Sequence, residues 1–187
     1  MLTITPEQIA AIRAVSAPLP HGVGNAESMC SVAAINLALV GRVTDDKPAC
    51  MSGLIHRWII RVQDAMPIDM INAPEWRGLL PYAAGTGNDH EAERAEVLLD
   101  WTWTVVLPLV QPVADNGGFG SEWRTMLTEK TANAAYAAAN AAYAAADAAN
   151  AADAACALLN FWQTLNPAAV LRRMILVSVT DDEMVSA

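Results

Sequence analysis

Between Thr131 and Cys156 the chain reads TANAAYAAANAAYAAADAANAADAAC, and this alanine tract constrains the fold more than any other feature. Its departures from alanine follow a fixed rule. Asn133, Tyr136, Asn140, Tyr143, Asp147 and Asn150 are spaced alternately three and four residues apart. On an α-helix that heptad-like spacing gathers the six side chains into one narrow stripe. An ordinary amphipathic helix sets an apolar stripe on an otherwise charged cylinder. Here the stripe is polar and the rest of the cylinder is methyl groups. With no charged residue covering the methyl faces, the tract predicts a helix packed against protein around much of its circumference.

Helix signals also dominate the remainder. Thr5, followed by Pro6 and three residues later by Gln8, forms a capping-box signature that starts a helix running to about Ser16. MCSVAAINLALVG (29–41) has helical length and ends at a natural glycine C-cap. In the next apolar segment Leu54, Trp58, Ile59 and Val62 share one face. Asn72 is placed to cap a short helix through about Leu80. A long helix is predicted from His90 to about Ala114, with a break near Leu107 imposed by Pro108 and Pro112. Ser121 and Glu122 then begin the longest helix, carrying the tract to about Thr164, and Asn166-Pro167 starts the last one, to about Val177. HGVGNAES (21–28), GTGND (85–89) and NGGFGS (116–121) read as loops. No segment sustains period-two alternation. The expected fold class is all-α: six to eight helices around the Ala-rich one, in a single domain over 1–178 with a flexible tail at 179–187.

Composition narrows the function classes. Of the 187 residues 54% are hydrophobic and 17% charged, a low charge density that, with the extensive Ala surface, favours self-association as a symmetric homodimer or higher oligomer. A net charge of −9 argues against nucleic-acid phosphates as a partner. The longest apolar stretches, such as VVLPLVQPVA (105–114), are too short and proline-rich to span a bilayer. The odd cysteine count (Cys30, Cys50, Cys156) and the absence of a basic-then-apolar N-terminus fit a reducing, cytoplasmic setting.

Candidate chemistry is sparse. The stripe residues Tyr136, Asn140, Tyr143, Asp147 and Asn150 offer amide and carboxylate partners and two stacking rings, which suits a small, nucleotide-sized ligand or a protein partner. The same stripe also reads as a plain solvated face or as an assembly element. His21, His56 and His90 stand in no metal-ligand spacing, and a hydrogen-bonded structural role is the ordinary reading of His56. A small hydrolase or transferase using His56, His90 and nearby carboxylates is the alternative to binding. Cys30 and Cys50 read as buried small hydrophobes, and no cofactor motif is present.

Four segments carry a resemblance: the helix holding Cys30, VGRVTDDKPAC (40–50), QDAMP (63–67) and RGLLPYAAGTG (77–87). Over these the chain resembles a family of small bacterial and phage proteins with a Cys-helix, a Pro-Ala-Cys loop, a Leu-Pro…Gly-Thr segment and Ala-rich repeats near the C-terminus. That family has no established activity. The resemblance implies a phage- or prophage-type accessory role, such as binding a host protein or a signal molecule of host defence. Two positions depart from it: Ala34 stands where the family tends to have Glu, and Lys47 where it tends to have His.

Overall fold

The computed structural model describes residues 4–131, 133–135, 137–140 and 161–185. Of these residues 67% are helical and the only sheet has two strands, so the protein is all-α. The chain forms two compact units, one from residues 1–98 and 166–187, the other from Leu99–Leu165. Among the described residues no helix is long and apolar enough to cross a membrane.

In the first unit, α1 (Pro6–Ala14) starts on the predicted box: the Gln8 amide donates to Thr5 Oγ1, and Thr5 N–H donates to Gln8 Oε1 at 2.9 Å. It buries Ile9 and Ile12. The segment expected as a loop then holds a minimal antiparallel hairpin, β1 (Gly24–Asn25) and β2 (Ser28–Met29), in register Gly24↔Met29. Asn25 Oδ1 accepts from the Glu27 and Ser28 amides, which closes the turn. Gly24 sits at φ +77, and a Cβ there would lie 1.9 Å from Ser28 O.

Helix α2 (Ser31–Val40) is buried at every position from Ser31 to Asn36, as expected of a helix apolar on all sides. It ends on Gly41 in the left-handed region, the predicted C-cap. Packed against α2 are α1, α3 (Gly53–Ala65) and α6 (Leu80–Ala84). Between α3 and α6 come two single-turn helices, α4 (Ile68–Ile71) and α5 (Pro74–Arg77). The buried face of α3 is Ile55, Ile59 and Gln63, while Leu54, Trp58 and Val62 are half-buried. The predicted face is thus rotated, because a polar residue belongs to the core. Gln63 Oε1 accepts from Ser31 N, and its Nε2 donates to Pro20 O at 2.7 Å. Asn72 also differs from expectation. It ends α4, and its side chain accepts from Leu19 N and donates to Leu19 O, while Ala73 precedes α5. Trp76 is the bulkiest core residue of this region, its indole N–H donating to Ser31 Oγ at 2.9 Å.

The long helix expected from His90 begins as α7 (Glu91–Trp101) and changes pitch in a π turn at Thr102–Val106. Pro108 lacks the N–H that would continue the ladder, and the Leu107 N–H reaches back five residues to Thr102 O. Short pieces follow, α8 (Leu107–Leu109) and α9 (Gln111–Asn116), the second with Pro112 in its first turn. Where a kink or break is expected near Leu107, the helix takes a π turn just before it and is interrupted at Val110, between the two prolines.

Helix α10 (Gly120–Glu129) stops at Lys130, whose left-handed backbone (φ +53) returns its N–H to Met126 O. Thr131 then caps a new helical run: its Oγ1 accepts from Ala134 N and its carbonyl from Ala135 N. The longest helix predicted from Ser121 is thus divided at residues 130–131. Helical backbone follows at 133–135 and 137–140, and again at 161–165. Ala134 and Ala138 are buried on Met126 against Trp103, Leu107, Trp123 and Leu127. Asn133, Ala137, Ala139 and Asn140 are exposed. Over these turns only one side of the alanine helix is covered, in contrast to the packed circumference predicted, because the bulky partners all come from one direction.

Back in the first unit, α11 (Pro167–Leu176) is capped by Asn166 as predicted and packs on α3 and α6 through Leu171, Met174 and Ile175. Beyond residue 178, Thr180 and Glu183 form a second capping box that starts α12 (Asp181–Val185). Arg172 pairs with Asp181.

Two substitutions test this packing. Ala138→Leu overfills a fully buried site and is expected to cost about 1–3 kcal/mol by urea unfolding, whereas exposed Ala139→Leu should stay within about 0.5 kcal/mol. Gly24→Ala should destabilise by more than about 1 kcal/mol, since it meets both positive-φ strain and a backbone clash; an unchanged midpoint would show that the hairpin does not form.

Candidate functional site

The first unit concentrates its polar chemistry where α7 begins. Arg94 is completely buried, and each of its five N–H donors has an acceptor. Nε donates to Met174 O, Nη1 to Asp89 O and to Glu91 Oε1 at 3.1 Å, and Nη2 to Thr86 O at 2.9 Å and Ser178 Oγ at 2.6 Å. Met174 lies in the last turn of α11, where carbonyls lack helical partners and carry negative partial charge. The guanidinium thus sits where a helix C-terminus favours a cation.

Glu91 does the complementary work at the N-terminus of α3. Its carboxylate accepts from the Ser52 hydroxyl and from Leu54 N at 2.9 Å, and Ser52 is itself the N-cap of α3. Burial pushes the Glu91 carboxyl up, but the bonds from Ser52, Leu54 and Arg94, together with the Arg94 charge, outweigh it and hold the carboxyl below its ordinary value. Thr86 Oγ1 accepts from Ser52 N at 3.0 Å, which ties the GTGND loop to the same cap. Lys47, at one position where the family resemblance expects another residue, donates to Pro48 O, Met51 O and Asn88 Oδ1. Ala34, at the other, is buried in α2. Sequence reading missed Arg94, Ser52 and Thr86. A basic residue three positions after an acidic one in a first helical turn is the signal that could have pointed to Arg94.

His21 and His56 hold backbone carbonyls. Nε2 of His56 lies 2.7 Å from Asp45 O and that of His21 2.9 Å from Met66 O, so both rings donate from Nε2. His90, at φ +63, pairs through Nδ1 with Glu93 at 3.2 Å. His56 and His90 therefore enter different local contacts. Among the described residues no three His, Cys, Asp or Glu side chains cluster in a way that could hold a metal ion. Cys30 is buried and caps α2, its sulfur accepting from Ala33 N, and burial pushes its thiol up. The half-buried Cys50 thiol is pushed up for the same reason.

Of the predicted stripe, Asn140 is exposed on the alanine helix, away from the side that buries Ala134 and Ala138. Asn133, which begins the stripe, is exposed as well. Tyr136, Tyr143, Asp147 and Asn150 lie outside the described residues. Each unit has a concavity lined by described residues. One, of about 220 Å³ in the first unit, has an apolar floor of Met66, Met70, Ala73 and Trp76 with Glu75 at its edge. The other, of about 160 Å³, lies between α10 and the alanine helix and is lined by Ser121, Glu122, Thr125, Ala134 and Ala137. No family model, curated protein or solved structure matches the chain.

The clasp around Arg94 gives a signed pH dependence. Because the folded-state acidity of Glu91 is strengthened, its contribution to stability is present above the ordinary carboxylate range and is lost as pH falls through the lowered folded value. Glu91→Gln should cost about 1–2 kcal/mol at neutral pH, discounted for the partial exposure of the carboxylate, and should flatten the acid side of the stability profile. Arg94→Met strands several buried acceptors and should cost about 3–5 kcal/mol. Urea unfolding at neutral and acid pH measures both.

Proposed function

We propose that this chain is a non-enzymatic binding protein whose Leu99–Leu165 unit presents the polar side of its alanine helix to a small ligand or a protein partner, a second copy of the chain included. The observation that carries this reading is the division of the helix at 133–140. Ala134 and Ala138 are packed inward on Met126, while Asn133 and Asn140 face outward. An internal support would bury the polar positions and bond them within the protein; a recognition surface leaves their amides available. The histidines of the alternative, enzymatic reading are engaged in structural contacts instead, His56 with Asp45 O and His90 with Glu93.

On this reading the stripe continues through Tyr136, Tyr143, Asp147 and Asn150, whose rings and acceptors would stack on and hydrogen-bond to the bound group. The setting we infer is that of a phage-type accessory protein acting on a host protein or defence signal molecule, and it rests on the resemblance of residues 30–87 alone.

Native mass spectrometry of protein taken from its producing cells tests the proposal. The wild type should carry a ligand, a partner or a second copy. The double variant Asn133→Ala/Asn140→Ala, and separately Tyr143→Ala, should lose it with an unchanged unfolding midpoint. A wild type found only as the bare 19.9 kDa chain at micromolar concentration, or variants that retain the bound species, would overturn the proposal.

A further inference from the structure

We draw no further inference here: the strongest candidate, the apolar cleft of the first unit lined by Met66, Met70, Ala73 and Trp76, carries nothing because the Glu75 carboxylate at its edge and the α11 N-terminus at Asn166 and Ala168 favour opposite ligand charges and nothing in the structure shows what covers it.

Discussion

The buried guanidinium of Arg94 is the constraint on which the first unit depends. A cation removed from water is tolerated only when its donors are all engaged and its charge is met. Here the acceptors come from four separated places: the 86–89 loop, Glu91 in its own helix, Met174 near the end of α11, and Ser178 beyond it. Satisfying one side chain therefore fixes the ends of segments some eighty residues apart in sequence. Glu91 extends the same logic to α3, whose first turn it caps together with Ser52. Acid at a helix start and base at a helix end form a single bonded pair, so the two helix-end preferences reinforce each other.

Elsewhere in that unit, other long polar side chains act as ties for irregular backbone. Arg77 donates to Ala17 O and Val15 O, Asn72 holds Leu19 at both its N–H and C=O, and Gln63 holds Ser31 and Pro20. These ties satisfy the proline-rich connection between α1 and the hairpin, which has few backbone partners of its own. Tyr82 adds a further link, its hydroxyl bonded to Met184 O and its ring lying beneath Arg13. The second unit is built on a different principle. There, prolines interrupt the helix, and Trp123 donates its indole N–H to the carbonyl of Leu107 at that interruption. Alanine supplies the close approach that lets Met126 and the indoles pack on the helix.

The legible parts of the sequence were those governed by local rules. The Thr5 capping box, the Gly41 C-cap and the Asn166-Pro167 restart follow from φ preferences and missing donors, and each is found where the residues place it, while the prolines at 108 and 112 are answered by a π turn before the first and a turn at Val110. Two of the misreadings share one cause. Gln63 and Arg94 look like surface residues by composition, yet both are buried because distant carbonyls receive them. The division at Lys130 gave little warning, since a lysine adopts the left-handed region only when its context compensates. Thr131, at the start of the tract, was the residue to read as an N-cap.

For the candidate site, periodicity alone placed Asn133 and Asn140 on one face of a helix, because the 3.6-residue repeat is a property of the backbone. It could not decide which way that face points. That depended on where Met126, Trp103 and Trp123 lie, and they pack on the alanine side. The sequence by itself determined the all-α class, most of the described helix ends and the shared helix face of Asn133 and Asn140, since these rest on interactions within a few residues. Tertiary structure decided the buried clasp of Arg94, the division into two units and the outward direction of the asparagines, since each depends on groups that only folding brings within hydrogen-bonding or packing distance.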